Sequence, residues 1–228
     1  MIRLVDMFLS GAALLVLAPF LLPLTVALRV TGEGEVFFKQ DRVGRGGEYF
    51  ELYKFATMLK DSPFMGTGTV TLKDDPRVLP LGHFLRKTKI NELPQLLNIF
   101  LGDMSIVGPR PQTRRCFEAF PKRSQDQIIT VRPGLSGIGS IIFRGEDQLM
   151  HASAEPDKLY DEVIMPYKGL LEEWFVENRS IFVYLKCVWL TILVIVNPSS
   201  TAVWKFFPDL PEPPDRLTTQ LNWPIIVG

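Results

Sequence analysis

"LVDMFLSGAALLVLAPFLLPLTVAL", Leu4 to Leu28, is almost continuously apolar. As a straight helix, ~25 residues reach about 37 Å, enough to cross a bilayer core of about 30 Å. The run is too long for the apolar region of a secretory leader, and no small-x-small cleavage site precedes the polar residues after it, so the segment is expected to stay attached. Pro19 and Pro23, near its middle, each remove a helical hydrogen bond and crowd the preceding turn. The residues alone leave two arrangements open. One is a proline-kinked single span; in the other the helix bends at Ala18-Pro19 and both ends return to one face as a re-entrant hairpin. Arg3 and Arg29, one at each end, give no positive-inside bias that separates the two.

Beyond this segment the composition is that of a packed protein: 228 residues, 46% of them hydrophobic, with no low-complexity block or repeat. Disordered and fibrous classes are excluded. A formal net charge of zero hides an asymmetry, because Lys73 to Arg132 holds 11 basic against 6 acidic residues, whereas the chain after Gly145 holds 6 basic against 12 acidic. An anionic ligand favours the middle. Cys116 and Cys187 lack the spacing of a metal or redox site, which points to reduced thiols.

"EVFFKQ" and "EYFELYKF", joined by the glycine-rich "DRVGRGG", read as a β-hairpin whose second strand has two faces. "TGTVTLKDDPRVLPLG" reads as a turn-rich connector, with Asp75-Pro76 a turn start rather than a metal ligand. "KTKINELPQLLNIFLGDMSIVGPRP", Lys87 to Pro111, follows. Proline is tolerated only in a first helical turn, so Pro94 places a helix start near Asn91, with Asn91 as N-cap, Glu92 in the first turn and Leu96, Leu97 and Phe100 as an apolar stripe. Gly102 ends that helix. An amide cap and an acidic first-turn residue suit a helix start without any catalytic role, yet the same end attracts anions and lies beside Arg86, Lys87 and Lys89. Arg110, stiffened between two prolines, is a good fork for phosphate or an ordinary partner of Asp103.

"VRPGLSGIGSIIFRGED" sets Arg132 and Arg144 around glycines that either cradle phosphate oxygens or simply turn. "RRCFEAFPKR" is an amphipathic basic stretch, suited to anionic lipid or to solvent. "SIFVYLKCVWLTILVIV", with Lys186 near its centre, is short for a span and reads as a core or interfacial helix. "PDLPEPPDRL" is expected to be extended.

Taken together, these motifs resemble the bacterial sugar transferase family, small monotopic phosphoglycosyl transferases that work on polyprenyl phosphate. The resemblance covers nearly the whole chain: Arg3 and Asp6 before a proline-broken membrane helix, "FFKQDRVG", "YKFATM", "DDPRVLPLGHFLRKT", "ELPQLLNIFLGDMSIVGPRP" and "VRPGLSG". It implies a mostly helical α+β monotopic membrane protein: a re-entrant helix over 1–30 broken at Ala18 and Pro19, a catalytic domain with a small β-hairpin and interfacial helices over 31–205, and an extended tail over 206–228. It implies Mg²⁺ as cofactor, and transfer of a sugar 1-phosphate from a UDP-sugar to polyprenyl (undecaprenyl) phosphate, releasing UMP. The expected place is the cytoplasmic face of the bacterial inner membrane, as the first membrane step of polysaccharide assembly. Membrane lipid is an expected partner, nucleic acid is not, and a homo-oligomer stays open.

The resemblance carries roles to individual residues. The position held by Asn91 is generally an aspartate that attacks the β-phosphorus; Glu92 matches a glutamate tied to metal and acid/base chemistry. Arg110 and Arg144 match phosphate- and nucleotide-binding positions, and Arg86 and Arg132 join them as expected substrate-binding residues. The chain departs from the pattern at Ala18, where serine is frequent, at Ala56, where a basic residue is usual, and at Asn91. A neutral amide is a poor nucleophile toward phosphorus. Two readings follow: an enzyme relying on Glu92, with the polyprenyl phosphate attacking directly, or a catalytically silent relative that binds lipid phosphate or sugar nucleotide and regulates a partner.

Overall fold

The computed structural model describes residues 1–65, 75–146, 149–150 and 153–222. The early part of the expected turn-rich connector, 67–74, lies outside the described residues. Helix makes up 58% of the structure, beside two small two-stranded sheets, which is the mostly helical α+β class expected. The chain forms two compact units, one of Arg3–Asp41 with Glu51–Gly102, the other of Met1–Ile2, Arg42–Phe50 and Asp103–Gly228.

In the first unit, α1 runs from Ile2 to Thr31. Ala18 and Pro19 lie inside it, so helical backbone continues on both sides of the expected bend. Each of Pro19 and Pro23 forfeits one N–H bond, which is where a helix bends most readily. The body beside α1 is built from the hairpin of β1 (Phe37–Val43) and β2 (Tyr49–Phe55), then α2 (Pro80–Lys87) and α3 (Gln95–Leu101). Both ends of α1 meet that body. Near its start, the Arg3 guanidinium donates to the carbonyls of Ile99 and of Phe100, the latter at 2.7 Å, satisfying acceptors that the C-terminus of α3 leaves open. Near its end, Leu21, Leu24 and Leu28 pack with Phe55, Leu81, Leu85 and Ile90. Leu15, Val16, Phe20, Leu22 and Val26 between them are exposed.

Local chemistry fixes the rest of this unit. The buried Asp75 carboxylate accepts from Arg77 Nη2 at 2.6 Å and Nε at 2.9 Å, and Arg77 Nη1 reaches the carbonyls of Ser62 and Met65. Asp75 is therefore a turn residue engaged by arginine. Asn98, fully buried, accepts from Tyr53 N at 3.0 Å and donates to Glu51 O at 2.7 Å, so α3 is stitched to the free edge of β2.

In the second unit, β3 (Ser105–Val107) pairs in parallel with β4 (Gly134–Ser136), in the register Ser105 to Gly134 and Val107 to Ser136. The glycines around this ladder serve close backbone contact. A Cβ at Gly134 would lie 2.0 Å from Gly108 N, and one at Gly137 would lie 2.2 Å from Gly108 O, so they let two backbones touch. "RRCFEAFPKR" divides into α4 (Arg114–Glu118) and α5 (Lys122–Ile128) at Pro121 instead of forming one basic face. After β4 come α6 (Ile138–Ile142), α7 (Pro156–Leu159), a π-turn over Tyr160–Ile164, and α8 (Met165–Glu177), with Met165, Tyr167, Leu171 and Phe175 in the core.

Helix α9 (Ile181–Val196), capped by Ser180, buries Tyr184, Cys187, Leu190 and Val194 while Phe182, Leu185, Trp189 and Ile192 face outward, a helix with one core face and one apolar face exposed among the described residues. The last segment is only partly extended: α10 (Ala202–Phe206) and the helical turn α11 (Asp215–Thr218) flank the proline-rich stretch. It packs down, with Tyr167 Oη donating to Pro211 O at 2.8 Å and Leu210, Leu217 and Leu221 buried.

Candidate functional site

The turn before α3 holds Asn91 and Glu92. Lys89 adopts a left-handed conformation at φ 60°, Ile90–Glu92 forms a 3₁₀ turn, and Pro94 occupies the cap position of α3. Asn91 is thus not the N-cap. The helix begins at Gln95, where proline needs no N–H, and the preceding residues close the tighter bonds Glu92 N to Lys89 O and Leu93 N to Ile90 O. The apolar stripe shifts accordingly: Leu96 and Ile99 are buried, whereas Leu97 and Phe100 are exposed. Asn91 is 8% exposed, and its Oδ1 is buried without a hydrogen-bond partner.

Glu92 keeps a side chain 19% exposed, with Lys54 Nζ 3.9 Å from its carboxylate. Sequence reading passed over Lys54; its signal is a lysine set between Tyr53 and Phe55 in a two-faced strand. Arg86, half-buried in the last turn of α2, directs Nη1 toward Thr57 Oγ1 at 3.5 Å. The first unit therefore gathers Asn91, Glu92, Arg86 and Lys54. Among the described residues, no group of three or more His, Cys, Asp or Glu side chains could hold a metal.

Arg110, Arg132 and Arg144 belong to the second unit. Arg110 is exposed, on the turn that leaves β3; Arg132 is half-buried ahead of β4; Arg144 is exposed after α6. The backbone around Arg110 is held by Gly134 N, donating to Pro109 O at 2.7 Å, and by Arg42 Nη1, donating to Pro111 O at 3.2 Å. Arg42 was missed in the sequence because its partner lies far along the chain.

Behind that turn lies Glu172 of α8, 2% exposed. Burial pushes its carboxyl up to about 7, against the opposing pull of Lys168 and of backbone N–H bonds from Gly139 and Arg110. Lys168 is itself held by Glu146 at 2.7 Å.

Residues 1–198 match the family model described as Bacterial sugar transferase. The chain belongs to the bacterial sugar transferase family. Among its relatives is the exopolysaccharide production protein PSS of Rhizobium leguminosarum bv. phaseoli, 46% identical over 108 residues, covering 47% of this chain and 54% of that protein. The UDP-glucose:undecaprenyl-phosphate glucose-1-phosphate transferase of Klebsiella pneumoniae is 33% identical over 200 residues, covering 83% of this chain and 39% of that one. The galactosyl transferase CpsE of Streptococcus agalactiae serotype III (strain NEM316) is 34% identical over 191 residues, 79% of this chain and 38% of that protein. The chain spans about half or less of the length of these curated relatives. In this family member the match takes in residues of both units and all six of the expected catalytic and substrate-binding residues, and stops short of the packed final segment.

Proposed function

We propose that the chain transfers a sugar 1-phosphate from a UDP-sugar to polyprenyl (undecaprenyl) phosphate, releasing UMP, at the cytoplasmic face of the bacterial inner membrane. One observation carries the reading: the unit that holds the Asn91-Glu92 turn, Arg86 and Lys54 is the unit against which both ends of the apolar helix α1 pack. A carboxylate with Lys54 beside it thus stands in the unit that packs on the apolar helix, where a lipid phosphate can meet a water-soluble donor. The names of the relatives agree with both substrates.

The same contacts support a re-entrant α1. A span with Arg3 and Arg29 on opposite faces would carry either the Arg3–α3 contact or the Leu28 cluster across about 30 Å of hydrocarbon. With both ends on one face, the exposed middle of α1 dips into lipid. The outward apolar face of α9 suits a helix lying at the interface.

Glu92 fits Mg²⁺, which is commonly held by one or two carboxylates together with substrate phosphates. The unpartnered Asn91 Oδ1 is a further oxygen donor in the same turn. Bound there, the cation would neutralise charge on the donor diphosphate. Arg86 and Lys54 supply positive charge in the first unit, and Arg110, Arg132 and Arg144 supply it in the second, as phosphate- and nucleotide-binding groups. Asn91 carries no negative charge, so the acceptor itself attacks: an oxygen of the polyprenyl phosphate bonds to the donor β-phosphorus, the bond from that phosphorus to the bridging oxygen breaks, and UMP leaves with the electron pair.

The test is UMP release by the full chain in detergent with Mg²⁺, undecaprenyl phosphate and UDP-glucose, UDP-galactose or UDP-N-acetylgalactosamine. Turnover by the parent, reduced at least about 100-fold in Glu92→Gln, is expected. Absence of turnover with every donor, restored by Asn91→Asp, identifies a silent relative instead. A phospho-sugar adduct on the parent, detected by intact mass with donor alone, excludes direct attack as the sole route.

A further inference from the structure

Two neighbouring buried carboxylates on α8 are satisfied in different ways. Glu173, facing α5, accepts from Ser124 Oγ at 2.6 Å and pairs with Arg123 at 3.0 Å. Glu172 accepts backbone N–H groups from Gly139 and Arg110, and its Oε2 is buried without a partner. Gly139 lies in the first turn of α6, where N–H groups have no helical acceptor. A side chain there is excluded, since its Cβ would lie 2.4 Å from Glu172 Oε1. Arg110 is flanked by Pro109 and Pro111, and proline has no N–H, so its amide is the sole backbone donor of the tripeptide. That donor goes to Glu172. With the carbonyls of Pro109 and Pro111 held by Gly134 and Arg42, the turn is fixed at three points while the guanidinium stays exposed.

We propose that Glu172 is the positioning residue of Arg110: its carboxylate ties the Pro109-Arg110-Pro111 turn to the first turn of α6 and so presents the guanidinium in one orientation to the donor diphosphate. This rests on the reading that Arg110 binds donor phosphate. The titratable groups facing Glu172 are Lys168, one turn earlier on α8 and engaged by Glu146, and Cys187 of α9, whose thiol is pushed up by burial and then by the Glu172 charge. Because burial raises its proton affinity, Glu172 changes between a neutral acid and an ionised, stronger acceptor in the neutral range. The hold on Arg110 tightens as pH rises through about 7.

Hydrogen exchange read by mass spectrometry isolates this contact, since the Arg110 amide is the single exchanging site between the two prolines. The full chain in detergent is followed from pH 5.5 to 8.5, with rates corrected for intrinsic pH dependence, beside Glu172→Gln. UDP-glucose affinity is measured by calorimetry on the same samples; its diphosphate diester does not titrate in this range. In the parent, protection of Arg110 is expected to rise about tenfold across pH 7 and UDP-glucose affinity several-fold with it; in Glu172→Gln both are flat. Parent protection that is absent or independent of pH overturns the proposal even if the variant does not fold. A protection step unaccompanied by any change in a measurable UDP-glucose affinity overturns the positioning role. A step in a parent that binds no UDP-glucose at any pH refutes the donor reading while leaving the tie between Glu172 and Arg110 in place.

Discussion

Glu172 releases its proton at about 7 in the folded chain against 4.5 for an ordinary glutamate, so folding prefers the protonated form. The stabilisation is complete below about pH 4.5 and is lost as pH rises to about 7, roughly 3 kcal/mol at 1.36 kcal/mol per unit. Urea unfolding at a series of pH values is expected to show the parent losing up to that much more stability than Glu172→Gln between pH 4.5 and 7.5; parallel curves would refute the assignment. Stability and the hold on Arg110 therefore run in opposite directions across neutral pH. At this scale the sequence showed Asn91, Glu92 and Arg110 as unusual, because local spacing marks them. It did not show Lys54, Arg42 or Glu172, whose partners are far along the chain. It also misplaced the cap, since both Asn91 and Pro94 suit a helix start and the choice between them depends on the tighter turn that packing imposes.

The parallel ladder of β3 and β4 depends on what its glycines omit. At Gly134 an added Cβ would meet backbone atoms of Gly108 and Ser136 at 2.0 to 2.5 Å, and backbone cannot swing aside as a side chain can. Gly134→Ala is expected to cost at least about 1–3 kcal/mol and to lower the thermal midpoint by several degrees, whereas Gly46→Ala, where an added Cβ meets nothing within 4 Å, pays only for its positive φ. Equal midpoints for the two variants in circular dichroism melts would contradict the close-contact account. A glycine needed for close approach and a glycine needed for a turn look alike in a sequence, which is why the backbone contact was not legible in this stretch. The hairpin was legible because alternation and a glycine turn are local signals. The final segment was not, because prolines that forbid regular helix do not forbid packing: Leu210, Leu217 and Leu221 are buried around them.

Across the molecule, α1 is long and apolar enough to cross a membrane, but which faces its ends occupy depends on tertiary contacts that hydropathy does not contain. Arg3 satisfies the end of α3, and Leu28 lies in a cluster with α2 and β2; α2 and α3 are joined by a link too short to cross a membrane. The two termini of α1 are therefore expected on one side. Cys116→Ser, Cys187→Ala chains carrying Ile2→Cys or Thr31→Cys, reacted with a membrane-impermeant maleimide in sealed inverted and right-side-out vesicles, report each end separately. Both sites should label in inverted vesicles and neither in right-side-out ones before lysis. Labelling of the two positions in opposite preparations would establish a span and remove the lipid-side approach on which the proposed transfer depends. Releasing the anchor with Arg3→Ala tests the cause: if that guanidinium holds the first turn of α1 to α3, the Ile2→Cys site should become heterogeneous in its sidedness while Thr31→Cys stays uniform, because the cluster around Leu28 is untouched.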